Sequence, residues 1–165
     1  MQVKNIIKKL ESSEEFKKWK KDYLTSSLAH IFKMNDEANK DDWQIGFYNP
    51  NDTITTFVIK KDSIDIIQEA EIFKKPDTKI QKLPIDEIKI DIDHARNIVR
   101  DFQQKEYPKE IPLKEMIILQ NLDNKTLYNI TFITQSLNTL NIKVDARDAS
   151  IISHELITLN DLKTN

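Results

Sequence analysis

Hydrophobic residues near the start of the chain recur at helical spacing. Phe16, Trp19 and Tyr23 stand at positions i, i+3 and i+7, and Ser12 and Glu15 have the separation of a capping box. The pattern predicts an amphipathic helix that begins at Ser12, with its lysines on the opposite face. A shorter helical piece before it is indicated by three apolar residues, Ile6, Ile7 and Leu10.

Farther along, the apolar positions alternate, as is typical of strands. Residues 43–48, 53–59 and 64–73 predict three strands, and the residues at 49–52 predict a turn between the first two. Short runs at regular spacing of this kind indicate an antiparallel meander. Residues 24–34 fit either pattern: Leu24, Leu28 and Ile31 suit a helix, whereas alternation from Leu28 to Met34 suits a strand.

The second half begins with another helix. Asp91 is its predicted N-cap, and it ends before Pro108. Its apolar stripe consists of Ile92, Ala95, Ile98, Val99 and Phe102. Four strands are predicted after it, at about 113–120, 126–135, 138–145 and 150–159.

The apolar pattern of the first half recurs after a shift of 85 residues. The matching pairs are Trp43 with Tyr128, Ile45 with Ile130, Phe47 with Phe132, Phe57 with Ile142, Ile59 with Val144, Ile66 with Ile151, and Ile67 with Ile152. The same shift places residues 31–34 on residues 116–119, which read as a strand. We therefore interpret about 26–34 as a strand.

This repeat predicts an α+β protein made of two sequential units. Each unit is expected to be an amphipathic helix packed on an antiparallel meander of about four strands. The first unit is assigned to residues 1–75, the connection to residues 76–90 and the second unit to residues 91–165. Because a unit of this size buries too little surface to be stable alone, the two are expected to pack on each other.

Gly46 is the only glycine in the chain. Left-handed turn positions are therefore expected to be filled by Asn and Asp, whose side chains tolerate that conformation. The candidate turns are 49–52, 121–124 and 147–148. Gly46 itself lies within a predicted strand, which indicates a bulge or a close approach of other atoms to its backbone.

Composition excludes several classes of protein. Charged residues make up 32% of the chain but nearly balance at a net charge of −2, so a nucleic-acid-coating role is not expected. Without cysteine, disulfides and thiolate metal sites are impossible. The apolar runs are far shorter than the ~20 residues of a membrane-spanning helix, and the first residues lack a signal-peptide core. The expected location is cytoplasmic, or the cell envelope if a leader or anchor has been removed.

The titratable residues form no recognisable catalytic or metal motif. His30, His94 and His154 are not at metal-ligand spacing, and no nucleophile motif or phosphate-binding glycine loop is present. Asp91 and Asp93 flank a helix start beside His94, where acids are favoured by capping and by the helix dipole. No catalytic residue, cofactor or metal is therefore predicted.

Lysines surround Trp19 in the sequence Lys17-Lys18-Trp19-Lys20-Lys21. One hypothesis is a membrane-surface or nucleic-acid contact with Trp19 at the interface, the membrane case requiring that an N-terminal anchor was removed. The favoured interpretation is a solvated lysine face with Trp19 in the core, because Phe16, Trp19 and Tyr23 have the spacing of a core stripe.

The end of the second half carries the sequence Val144-Asp145-Ala146 after a helix and an alternating meander. This arrangement resembles the PepSY domain, a module found in propeptides of thermolysin-like metallopeptidases and in stand-alone prokaryotic proteins. Asp148 and Ala149 replace the Thr-Gly pair that often follows in that family, and the first half has Lys60 and Lys61 at the matching place. The chain resembles a tandem PepSY-like protein with a degenerate first copy.

The resemblance implies a non-enzymatic role: inhibition or chaperoning of peptidases, or protein binding at the cell envelope. For Asp145 we expect a structural task, because a carboxylate at a strand end can accept backbone N–H groups and close a turn. The predicted partner is another protein or an extended peptide, for example a peptidase, bound along an exposed strand edge. Candidate contact residues are Trp19, Tyr48 and Tyr107.

Two alternatives belong to other classes. A small-ligand or enzyme site could lie between helix and sheet, as in cystatin-like folds, and would require Asp145, His94 and His154 to converge in a pocket. The other alternative is a structural or assembly subunit that forms a homo-oligomer through a self-complementary face.

Overall fold

A computed structural model describes residues 2–35, 42–71, 79–158 and 161 of the chain. The fold is α+β and contains an eight-stranded antiparallel sheet. The helices are α1 (Val3–Ser12), α2 (Glu14–Asp22) and α3 (Ile92–Glu106), with a short 3-10 helix at Ile85–Glu87. The strands are β1 (Ser27–Asn35), β2 (Trp43–Tyr48), β3 (Thr53–Ile59), β4 (Ile64–Glu71), β5 (Pro112–Leu122), β6 (Lys125–Thr134), β7 (Thr139–Asp145) and β8 (Ile151–Ile157).

Ser13, not Ser12, caps the second helix. Its hydroxyl accepts a hydrogen bond from the backbone N–H of Phe16 at 3.2 Å and donates to the carbonyl of Leu10 at 2.7 Å. Ser12 is instead the last residue of α1, where its hydroxyl donates to the carbonyl of Lys8. The capping box predicted at Ser12 and Glu15 is therefore wrong by one residue, because α1 extends up to Ser12.

The other predicted elements are present with small shifts of their ends. Residues 27–35 form a strand, as the repeat indicated, and Asp91 caps α3 by accepting a hydrogen bond from the N–H of His94 at 2.9 Å. The last part of the predicted strand at 64–73 and the end of the predicted strand at 150–159 lie outside the described residues.

The strand order is β4-β3-β2-β1-β5-β6-β7-β8. Each strand from β1 to β4, and each from β5 to β8, pairs with its neighbour along the chain, so each group is a meander. The two meanders join through β1 and β5, which pair from His30 opposite Gln120 to Asn35 opposite Glu115. Phe47 and Phe132 thereby lie in the second strand of each group, and Ile59 and Val144 in the third.

One face of the sheet packs against the helices. A row of directly paired, mostly buried residues crosses the strands on this face: Ile66, Phe57, Ile45, Ile31, Leu119, Tyr128, Val144 and Ile151. Phe16 and Trp19 of α2 pack on Phe47 and Phe57 with ring centroids 5.1–5.5 Å apart. The same hydrophobic cluster includes α1 and α3, so all three helices cover this face.

The connection between the meanders is partly buried. The N–H of Leu83 donates to the carbonyl of Leu28 at 2.8 Å, and the side chain of Leu83 is buried beside the core. Farther along, Lys89 and Ile90 both donate from their backbone N–H to the carbonyl of Ala146. Residues 79–90 therefore pack against both meanders instead of looping away from them.

Gly46 stands opposite a bulge in β1. The register moves from Leu28 opposite Phe47 to His30 opposite Gly46, which leaves Ala29 as the extra residue. A methyl group on Gly46 would lie 2.6 Å from Nε2 and 2.8 Å from Nδ1 of His30, because the imidazole crosses the space above the glycine. The prediction was a bulge or a close approach at Gly46: the close approach is observed, and the bulge lies in the facing strand β1.

Left-handed backbone conformations occur at five described residues, none of them glycine. They are Asp52, Asp123, Asn124, Leu137 and Ala149. The first three are the Asn and Asp residues expected in turns. None of the described helices is long and apolar enough to cross a membrane.

Candidate functional site

An aromatic cluster lies where the end of α3 meets the outer strand β8. The hydroxyl oxygen of Tyr107 is 2.6 Å from Nδ1 of His154, and the ring centroids of His154 and Phe102 are 4.9 Å apart. Phe102 and Tyr107 are half-buried, whereas His154 is exposed. We refer to Phe102, Tyr107 and His154 as the edge cluster.

Hydrogen bonds of buried and partly buried side chains fix the backbone next to the edge cluster. The buried Gln103 donates from Nε2 to the carbonyls of Tyr107 and Glu110, at 3.0 and 2.9 Å. The Glu110 carboxylate in turn accepts from the hydroxyl of Thr134 at 2.8 Å and from the amide of Asn138 at 3.1 Å. The chain leaving α3 is thus tied to the end of β6, so the position of Tyr107 is fixed by its surroundings.

The strand beside the cluster is an edge of the sheet. β8 is the last strand in the sheet order, and no described strand pairs with its outer side. His154 pairs with Ile142, which places its side chain on the helix-covered face together with the edge cluster. Ser153, His154 and Glu155 are exposed, so this part of β8 is accessible from the side.

Asp145 closes the turn between β7 and β8. Its carboxylate accepts the backbone N–H of Arg147 at 2.8 Å, and also Nε and Nη2 of the Arg147 guanidinium at 3.1 and 2.8 Å. These bonds hold the pKa of the Asp145 carboxyl below its ordinary value. The backbone bond spans two residues, which confirms the predicted Asx-type turn. Ala146, the last signature residue, is fully buried and exchanges backbone bonds with Thr126, Lys89 and Ile90.

The structure separates the three predicted contact residues. Trp19 is only 4% exposed and stacks on Tyr23 with ring centroids 5.2 Å apart, which is the core position that the spacing of Phe16, Trp19 and Tyr23 favoured, and not the surface contact also considered. Tyr48 is half-buried and donates its hydroxyl to Asp52 at 2.6 Å. Tyr107 alone belongs to the edge cluster.

Sequence reasoning missed the other two members of the edge cluster. Phe102 fitted the core stripe of α3, and His154 seemed an isolated surface residue. Their positions in the sequence gave one indication. Phe102 stands about one turn before the end of α3, and His154 has the alternation of a strand residue that faces the same side as Leu156. That signal does not show which helix end meets which strand.

The residues required for a pocket site do not converge. His94 stands in the first turn of α3, whereas His154 contacts Phe102 and Tyr107, which are about 12 and 20 Å farther along the helix axis. Asp145 is bonded to Arg147 in its own turn. Within the described ranges, no group of three or more His, Asp or Glu side chains could hold a metal ion.

A cavity of about 560 Å³ opens between α1, α3 and strands β1–β3. Its cationic lining residues are Lys9, Lys33, Lys60, Lys61 and Arg96. Lys33 lies over the Trp43 ring at 4.7 Å, Lys60 pairs with Asp65 at 2.7 Å, and Arg96 pairs with the buried Glu115. Several of these cations are thus already engaged in contacts within the protein.

Comparisons with known proteins give a likeness of fold. No family model matches the chain, and no curated protein matches it. Among solved structures, a putative lipoprotein from Clostridium difficile 630 matches with a TM-score of 0.55 and 16% identity, over 87% of this chain and 90% of that chain. At this identity the likeness concerns the fold alone.

Proposed function

We propose that the chain is a non-enzymatic protein-binding module that adds an extended segment of a partner to the outer edge of β8. The observation that carries the proposal is the edge cluster, which lies beside β8, a strand whose outer edge pairs with no other described strand. Backbone N–H and C=O groups of β8 would hold the added segment, and the three rings would contact its side chains.

The chemistry of the edge cluster suits such a segment. Phe102 and Tyr107 offer partly exposed aromatic surface, which is the kind of surface enriched in protein interfaces. His154 and Tyr107 add polar atoms that can orient a neighbouring residue. Because Gln103 and Glu110 already fix the backbone around Tyr107, little further ordering is needed when a partner binds.

We further propose that the chain consists of two PepSY-like units, with the boundaries 1–75 and 91–165 and the connection 76–90. The grouping of strands into two meanders supports this proposal, as do the equivalent strands of Phe47 and Phe132. The role of Asp145 as a turn-closing carboxylate is compatible with the family signature. A peptidase is then the first partner to test, and the description of the structural neighbour makes an envelope location a reasonable expectation.

The proposal of a pocket enzyme is less well supported than that of a binding module. Its three required groups, Asp145, His94 and His154, lie in separate turns and helix ends. A binding edge needs only an accessible strand and a fixed flanking surface, which β8 and α3 provide.

The test is titration of fluorescently labelled extended peptides, and of peptidases with their inhibition measured in parallel. Saturable binding is expected, with Kd about tenfold weaker for Tyr107→Ala and for His154→Ala, since anchors of this type contribute about 1–2 kcal/mol. The control is Leu24→Ala, which removes an apolar side chain that is 75% exposed between α2 and β1. Absence of saturable binding together with absence of inhibition would overturn the proposal, as would an equal loss in the Leu24→Ala control.

A further inference from the structure

The sheet face that lies away from the helices is unusually poor in charge. We define the open face as the middle part of this side of the five central strands. It consists of Ile54, Thr56 and Val58 of β3, Gln44, Gly46 and Tyr48 of β2, His30, Phe32 and Met34 of β1, Met116, Ile118 and Gln120 of β5, and Leu127, Asn129 and Thr131 of β6, of which Gly46 and Leu127 are buried. None of these is Asp, Glu, Lys or Arg, although such residues make up 32% of the chain; Lys114 and Lys125 lie on the same side at the ends of β5 and β6.

The charges on this side of the sheet stand around the open face. Lys114 and Lys125 lie at the two ends of the β5–β6 pair, and Asp65, Lys143 and Glu155 lie on the outer strands. A centre without charge and a charged rim are the usual arrangement of a protein–protein interface.

Large apolar side chains occupy the middle of the open face. Phe32 stands directly opposite Ile118, and Met34 directly opposite Met116, across the β1–β5 pair at the centre of the sheet. All four are partly accessible, and none belongs to the hydrophobic cluster that the helices cover. A contiguous apolar group of this kind on a sheet face indicates a surface that another layer covers.

We propose that this layer is the open face of a second copy of the chain, so that two sheets pack face to face in a symmetric dimer. The facing sheets would lie about 10 Å apart with the Phe32–Ile118 and Met34–Met116 pairs at their centre. The helices of both copies would remain on the outside.

Three properties favour a second copy as the occupant. A face without charge meets its own copy without like-charge repulsion near the symmetry axis. Its polar groups, such as the amides of Gln44, Gln120 and Asn129, both donate and accept, so the same group can serve either copy. The five strands of the open face span about 24 Å by about 20 Å at their usual spacing, so two such faces bury roughly 1,000 Å², the area at which specific interfaces begin.

Charge placed on the open face tests this proposal. Sedimentation velocity over a wide range of concentrations should show a dimer for the natural chain. Ile118→Lys and Ile118→Glu should each weaken dimerisation about a hundredfold, because each puts a like pair near the symmetry axis. Leu137→Lys, at a residue that is 61% exposed in the β6–β7 turn, should leave the dimer unchanged.

Mixing the two charged variants shows whether they are monomeric because the dimer contact is lost or because the chain is misfolded. Ile118→Lys and Ile118→Glu chains, each monomeric and each with a natural circular dichroism spectrum, should associate when mixed, because the charges then attract. A natural chain that remains monomeric throughout would overturn the proposal, and so would variants that dimerise as the natural chain does. Tyr107→Ala should dimerise normally, so failure of peptide binding at β8 and failure of dimerisation are distinguished.

Discussion

At the scale of single residues, Asp145 shows how a carboxylate can determine the path of the chain. It lies at the end of β7 with its side chain only 8% exposed, and its three acceptor contacts all come from Arg147. Hydrogen bonds of this kind stabilise the ionised form, which explains why the pKa of Asp145 is lowered. Charge and turn geometry are therefore coupled at this position.

Asp145→Asn is expected to lower the free energy of unfolding by about 1–2 kcal/mol at neutral pH, because the charge-assisted bonds to Arg147 are lost. A lowered pKa in the folded state adds stability that is present at neutral pH and lost as the pH falls through that pKa. The difference between natural chain and variant should therefore shrink in acid. Urea denaturation at neutral and at acidic pH measures both effects.

Asp101→Asn provides the control for this prediction. Asp101 is exposed on α3, and its side chain accepts no hydrogen bond from the described residues. The substitution should change stability little at either pH. An Asp145→Asn deficit that is the same at both pH values would contradict the assignment of the effect to the charge.

Residue type predicted the left-handed turn positions that Asp and Asn occupy, but not those that other residues occupy. The use of Asp52, Asp123 and Asn124 at left-handed positions followed from the scarcity of glycine. Leu137 and Ala149 also adopt this conformation, although neither has a side chain that favours it. Such residues are held by the geometry of their hairpins, which local sequence does not display.

At the scale of elements, a single serine forms the junction between α1 and α2. Ser13 ends α1 and begins α2, since its hydroxyl bonds both to Leu10 and to Phe16. Either serine could be the N-cap of α2. Ser12 would form a capping box with Glu15, whereas Ser13 caps the helix by accepting the N–H of Phe16. Only the length of α1 decides between them, which is why the sequence alone led to the wrong frame.

Ser13→Ala is expected to destabilise the protein by about 1 kcal/mol, because the first turn of α2 then loses its N-cap. Ser12→Ala should cost much less, since Ser12 makes only an exposed bond to the carbonyl of Lys8 within its own helix. Thermal unfolding of both variants followed by circular dichroism checks the pair. Equal effects, or a larger effect for Ser12→Ala, would contradict the cap assignment.

At the scale of the whole molecule, one sheet carries both meanders, so the halves should unfold together. The buried row from Ile66 to Ile151 crosses the β1–β5 pair without interruption. Both tryptophans, Trp19 and Trp43, lie in the first half, and their fluorescence therefore reports on that half alone. Circular dichroism, by contrast, reports on all helices and strands.

Leu140→Ala tests this coupling from the opposite half. Leu140 is fully buried in β7, and its truncation is expected to cost about 2–4 kcal/mol. The tryptophan fluorescence midpoint should move by as much as the circular dichroism midpoint, because unfolding is one transition. A fluorescence midpoint that remains unchanged would show that the halves unfold separately.

The α+β class and the strands followed from the sequence because alternation and helical spacing are local properties. The pairing of β1 with β5, and with it the continuous sheet, did not follow. It joins residues far apart in the chain, such as His30 and Gln120, and Leu83 of the connecting segment also bonds to the distant Leu28. The edge cluster escaped prediction for the same reason, since it joins α3 to a strand 47 residues beyond Tyr107.

The strand order also has a kinetic consequence. Six of the seven pairings among the described strands join neighbours along the chain, and β1 with β5 is the exception. Only the pairing of β1 with β5 requires closure of a long loop, and its entropic cost falls on a single step. We expect this step to follow the local formation of hairpins in each meander. We expect a rate-limiting nucleus at the β1–β5 seam, and a folding rate above that of sandwiches whose strands interleave between distant parts of the chain.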